Sequence, residues 1–86
     1  MVHELKTLPE YFEAVRNGTK TFEYRCNDRD YKVGDTLILK EWNEEYTGRK
    51  ITCEVSYILD AFNSPKAVPI FPGYVIMSII VNRKEN

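Results

Sequence analysis

Lys20, Glu23, Arg25, Asn27, Asp28 and Arg29 crowd one short stretch, Gly-Thr-Lys-Thr-Phe-Glu-Tyr-Arg-Cys-Asn-Asp-Arg-Asp-Tyr, which runs from Gly18 to Tyr31. A helix stop precedes the stretch and a strand carries its middle, so the backbone can hold these side chains rigidly. Lys20 and Arg25 can meet phosphate oxygens, and Arg25 can do so with two parallel hydrogen bonds. Glu23 is an acceptor, suited to an exocyclic amino group. Lys20 and Glu23 can also form an acid–base pair if burial lowers the lysine pKa. The plain alternative is that Glu23 and Arg25, two apart on one strand face, pair in solvent and contribute at most about 1 kcal/mol.

Elements must position these groups. Val2 to Lys6 alternates and reads as a short strand, with His3 and Leu5 on one face. A helix of about ten residues follows, too short to stand alone. Thr7 and Glu10 have capping-box spacing, and Pro9 suits the first turn. Leu8, Tyr11, Phe12 and Val15 form its apolar stripe. Asn17-Gly18 ends it, with Gly18 in the left-handed cap conformation. Thr21 to Cys26 is the next strand. There Phe22, Tyr24 and Cys26 share a face expected in the core, opposite Thr21, Glu23 and Arg25. Val33-Gly34-Asp35 signals a turn. Thr36 to Trp42 is a strand with Leu37 and Leu39 on one face. Asn43 to Gly48 is a hairpin connection. Lys50 to Leu59 alternates throughout, with Ile51, Cys53, Val55, Tyr57 and Leu59 together. Asp60 to Pro72 is a loop. Tyr74 to Val81 is apolar on both faces, which predicts a central, doubly covered strand. The polar tail from Asn82 is expected to fray.

These elements predict one domain over residues 1–86 of class α+β, mainly β. It should be a small mixed β-barrel of about five strands with the N-terminal helix packed beside it. Closure is favourable at this size because it removes exposed edges. The 86 residues suffice for one core, and 43% hydrophobic content argues against disorder. The formal net charge of −1 argues against a binder of duplex nucleic acid that works mainly through phosphate. The two cysteines, Cys26 and Cys53, cannot make a zinc site unaided and are expected to be reduced, mostly buried thiols of a cytoplasmic protein. No metal and no cofactor are expected. The longest apolar stretch falls far short of a membrane span, so no membrane partner is expected.

Gly18-x-Lys20-x-x-Glu23-x-Arg25 after a short helix resembles the signature of ASCH domains, named for a transcription coactivator and grouped in the PUA-like superfamily. His3-Glu4-Leu5-Lys6, Asn27-Asp28-Arg29-Asp30, Val33-Gly34-Asp35 and Pro72-Gly73-Tyr74-Val75, in that order, are similar to a small bacterial and phage branch of it. The resemblance spans nearly the whole chain. It implies a PUA-like pseudo-barrel with a charged cleft beside the first helix, binding RNA or a nucleotide-like ligand. A monomer is expected. The ligand residues it points to are Lys20, Glu23, Arg25, Asn27, Arg29, His3 and Trp42. Tyr24, Tyr31, Trp42 or Tyr74 can stack on a base. The bland alternatives are a satisfied structural role for His3, edge packing for Trp42 and a simple turn for Asn27 to Asp30.

Some ASCH-type proteins are hydrolases of acetylated cytidine or cleave RNA. That activity uses a Lys, a Thr three residues later and a distant Glu. Lys20 matches the first. Glu23 stands in place of the threonine, which removes the hydroxyl nucleophile. Glu54 and Asp60 are the candidates for the distant carboxylate. An enzyme built on this chain would have Lys20 and Glu23 as its catalytic pair; the missing threonine favours binding over catalysis.

Overall fold

A computed structural model describes residues 1–84. Its elements in chain order are β1 (Val2–Thr7), α1 (Pro9–Arg16), β2 (Phe22–Cys26), β3 (Thr36–Trp42), β4 (Tyr46–Leu59) and β5 (Tyr74–Val81). The strands form one sheet in the order β1-β3-β4-β5-β2. β1 runs parallel to β3, and the other neighbours are antiparallel. The sheet curls into a half-barrel with one short helix, as the sequence predicts. β1 and β2 are its two edges, and the chain passes from one to the other through α1. No backbone ladder joins them.

The interior is filled by Leu5, Phe12, Val15, Leu37, Leu39, Ile51, Cys53, Val55, Val75, Met77 and Ile79, with Tyr31 sealing one side. Only half of the predicted helix stripe enters this core. Phe12 and Val15 are buried, whereas Leu8 and Tyr11 remain about half exposed. α1 also starts later than predicted. Leu8 is its N-cap residue, without a side-chain cap, and Pro9 opens the first turn. Thr7 belongs to β1, so the Thr7–Glu10 capping box does not form. Gly18 has φ +86°, as its cap role requires.

β3 and β5 have the predicted bounds. β4 begins earlier, at Tyr46, which shortens the hairpin connection. Its alternation breaks at a register shift between Val55 and Tyr57, where Ser56 is the extra residue opposite β5. A bulge moves every later side chain to the other face. Tyr57 is therefore exposed, and Ile58 packs on the core in its place. β5 lies inside the sheet, paired with β4 on one side and β2 on the other, but it is covered on one face only. Val75, Met77 and Ile79 point inward, while Ile80 is 58% exposed. Asn82 and Arg83 are tied down: the Asn82 amide donates to the Thr52 carbonyl at 2.9 Å, and the Arg83 guanidinium to the Arg16 carbonyl at 2.9 Å. The end of the predicted frayed tail, residues 85–86, lies outside the described residues.

The largest departure concerns β2. Phe22 and Tyr24 are 45% and 54% exposed, and Glu23 is only 2% exposed. Glu23 pairs in register with Met77, an interior residue of β5, which fixes its side as the inner one. The alternation correctly separates the two residue sets. Their assignment to inside and outside is reversed, because specific cations stand ready for the carboxylate. Cys26 shares the outer face and is exposed, so the expectation of two mostly buried thiols holds for Cys53 alone. Burial pushes the Cys53 thiol up to about 12. A thiol-specific reagent applied to the folded protein should therefore modify Cys26 rapidly and Cys53 only after denaturation. Mass mapping of the labelled peptides checks this, and equal labelling would contradict the strand register.

Candidate binding cleft

The gap between the two edge strands is bridged by side chains. Glu23 lies at its floor. Its Oε1 accepts from Lys20 Nζ at 2.7 Å, and its Oε2 accepts from Arg25 Nε at 2.9 Å. Arg25 Nη2 reaches across the gap to Thr7 Oγ1 of β1 at 3.3 Å. Lys20 Nζ also donates to the Phe22 carbonyl at 2.7 Å. The polar chain Lys20–Glu23–Arg25–Thr7 thus closes the half-barrel where backbone pairing does not. A buried carboxylate costs several kcal/mol unless it is paired and hydrogen-bonded, and both oxygens of Glu23 are.

Local structure explains these positions. The turn at Gly18 lets the Lys20 amide return to the Ala14 carbonyl at 2.9 Å, and Asn17 Oδ1 holds the Thr19 amide at 3.0 Å. This fixes the start of the Lys20 side chain against the end of α1. Glu23 and Arg25 are alternate residues of β2, so both point toward the gap.

Above this floor lies a cavity of about 480 Å3, within the usual range for small-molecule sites. Leu8, Tyr11, Phe22 and Tyr24 form its apolar walls, and Lys6, Lys20 and Arg25 bring positive charge against the single carboxylate of Glu23. Lys20 Nζ sits 4.9 Å from the Phe22 ring centre and 5.7 Å from that of Tyr11. The exposed aromatics of α1 and β2 are therefore cavity walls. Arg25 and Lys20 each keep N–H donors that these contacts do not use. The arrangement can hold a flat ring between aromatic walls and an anionic group beside it.

Lys20, Glu23 and Arg25 come together as predicted, and the other four predicted ligand residues stand elsewhere. Arg29 lines a second, smaller cavity and lies 3.8 Å from the carboxylate of Asp28. Asn27 Oδ1 accepts from the Tyr31 amide at 3.2 Å and caps that turn. Trp42 is outside the first cavity, with Lys6 Nζ 4.8 Å from its ring centre. His3 is a satisfied structural histidine. Its Nε2 is 2.8 Å from Asp35 Oδ2, and its ring meets Tyr31 edge-on at 4.8 Å. Tyr31 borders the second cavity but is only 4% exposed, too buried to stack on a base. Neither Glu54 nor Asp60 lines the cavity; Asp60 instead caps the turn at Phe62 and Asn63. Sequence reasoning missed Lys6, Thr7 and Tyr11. Thr7 and Tyr11 carry ordinary capping and core signals, and only the juxtaposition of β1 with β2 reveals their place here.

The profile of a family described as a domain of unknown function, DUF3850, matches residues 2–79. The chain belongs to that family. The match takes in β1 to β4, β5 as far as Ile79, and all the residues that line the first cavity. A DUF3850 chain of this kind is also 43% identical over 60 residues to an "Uncharacterized 12.9 kDa protein in GpA 3'region" of Escherichia phage P2. That alignment takes in 69% of this chain and 55% of the phage protein, so the chain spans about half the length of that relative. The crystal structure of hypothetical protein PH0355 superposes with a TM-score of 0.66 at 20% identity, covering 95% of this chain and 100% of that one. The likeness is one of fold alone. No helix among the described residues is long and apolar enough to cross a membrane.

Proposed function

We propose that this DUF3850 domain is a non-catalytic binding module for single-stranded RNA, taking a nucleotide unit into the cleft between β1, α1 and β2. The observation that carries the reading is the buried Glu23 clamped between Lys20 and Arg25 at the floor of an aromatic-walled cavity. A base fits between Tyr24, Tyr11 and Phe22, and its phosphate meets Arg25 and Lys6. Single-stranded RNA is read by such stacking together with edge contacts. The resemblance of Gly18-x-Lys20-x-x-Glu23-x-Arg25 to the ASCH signature, within the PUA-like superfamily, supports the same reading. A hydrolase of the acetylcytidine type is less well supported. The hydroxyl three residues after Lys20 is missing, and neither candidate distant carboxylate lines the cavity.

Fluorescence anisotropy with short single-stranded RNAs at low salt tests the reading. Affinity should fall as salt rises, since phosphate contacts release counterions. Tyr24→Ala removes a cavity wall and leaves the Glu23 contacts in place. It should weaken binding by roughly tenfold, from stacking worth about 1–3 kcal/mol. Absence of binding to any such RNA at high micromolar protein would overturn the proposal.

A further inference from the structure

A second cavity of about 320 Å3 adjoins the first, and the two share Lys6 and Arg25 in their walls. From the two shared cations and the different chemistry on either side of them, we infer that the cleft takes two consecutive nucleotides of an RNA strand rather than one. The inference rests on the RNA-binding reading above and deepens it.

The two cations form a ridge between the cavities. Arg25 uses Nε and one Nη2 hydrogen on Glu23 and Thr7, so Nη1 remains for an anion. Lys6 leans from β1 toward Trp42 and Tyr46, with its Nζ 4.8 Å and 5.9 Å from their ring centres. A phosphodiester on this ridge carries one negative charge, and its two ribose neighbours extend in opposite directions. One direction leads to the aromatic walls of the first cavity. The other leads to the second cavity, whose far side differs in kind. There Glu4, whose Oε1 accepts from Lys40 Nζ at 3.1 Å, and Asp28, 3.8 Å from the Arg29 guanidinium, still offer carboxylate lone pairs, and Tyr46 offers a half-exposed ring. Carboxylates repel a phosphate but accept hydrogen bonds from ribose hydroxyls and base amino groups. The second cavity is thus suited to a nucleoside, with the phosphate held at the ridge. Tyr46 is the ring available for stacking there, since Tyr31 is buried.

Calorimetric titration of the intact protein with the 3′,5′-linked dinucleoside monophosphates and with the matching nucleoside 3′- and 5′-monophosphates tests this. The best dinucleotide should bind about tenfold or more tightly than either of its component mononucleotides, the return expected from one further stacked base. Tyr46→Ala should reduce that ratio toward one, and Tyr46→Phe should keep it. Tyr24→Ala should weaken mononucleotides and dinucleotides alike. If mononucleotides bind and no dinucleotide binds more tightly, the two-nucleotide inference is overturned and the single-unit reading stands. If Tyr46→Ala leaves the ratio unchanged, the second cavity is not a subsite and the inference falls. If neither ligand class binds while longer RNAs also fail, both fall together.

Discussion

Replacing Glu23 by leucine is expected to destabilise the protein by about 3 kcal/mol and to abolish ligand binding. Removing one partner of a buried ion pair leaves charge without compensation, at a typical cost of about 3–5 kcal/mol. The lower end applies because the side chains of Lys20 and Arg25 retain 16% and 25% exposure through the cavity mouth, whereas that of Glu23 retains 3%. The measurement is the urea midpoint at constant slope. A second variant separates architecture from function. In a triple replacement of Lys20 and Arg25 by methionine with Glu23→Leu, no buried charge remains unpaired. Most of the lost stability should return, since apolar substitutes for a buried ionic cluster are often neutral or favourable. Binding should not return. If the triple variant bound RNA like the parent, the cleft would not be the site. If Glu23→Leu cost nothing, the carboxylate would not be the keystone described above.

Asp35→Asn should cost about 2 kcal/mol at neutral pH, and the difference should vanish in acid. The Asp35 carboxyl is held down to about 2 from its ordinary 3.8, first by the His3 hydrogen bond and then by the Lys32 amide and the Met1 amine, which together outweigh desolvation. Lys32 donates to Oδ2 at 3.0 Å and the Met1 nitrogen to Oδ1 at 3.1 Å. A carboxyl with a depressed folded-state pKa binds fewer protons when folded than when unfolded, wherever the unfolded chain is taking them up. Its stabilisation is therefore complete above about pH 4 and is lost as pH falls through about 2. The stability gap between parent and variant should close between about pH 4 and pH 2. Asp30→Asn is the control. Asp30 meets Lys32 at 3.1 Å with its side chain 82% exposed, and its replacement should change little at any pH. A gap for Asp35→Asn that persisted unchanged to pH 2 would refute the assignment.

Much of the architecture was legible because strand alternation is a strong signal wherever one face is apolar. Leu37 and Leu39 alternate with less buried residues in β3, and Ile51, Cys53 and Val55 alternate with polar ones in β4, so the inner faces follow directly, although β4 begins four residues before its alternation does. The signal fails for definite reasons. In β4 the bulge at Ser56 inserts one residue, and no local propensity marks it. In β5 both faces are apolar, so the pattern carries no orientation. In β2 the apolar set is the exposed one. Hydrophobicity favours Phe22 and Tyr24 inward, and the Lys20–Glu23–Arg25 contacts override it. Such local conflicts are expected where a sequence serves a binding site as well as a fold. The crowding of charge between Lys20 and Arg29 was visible, but its partition was not. Asn27 serves a turn and Arg29 a neighbouring cavity, while Thr7 and Tyr11 join the cleft from elements distant in sequence.

The order of the strands has a kinetic consequence. β3, β4 and β5 follow one another as antiparallel neighbours, whereas β1 and β2 each dock on a strand distant in the chain. Closing long loops is entropically slow, and contacts of large sequence separation form late. The meander β3–β4–β5 is thus the natural nucleus, and the two strands that carry the cleft are the last to be added. A ligand bound across them would act as a latch on the late-forming part of the fold, slowing its opening without touching the nucleus.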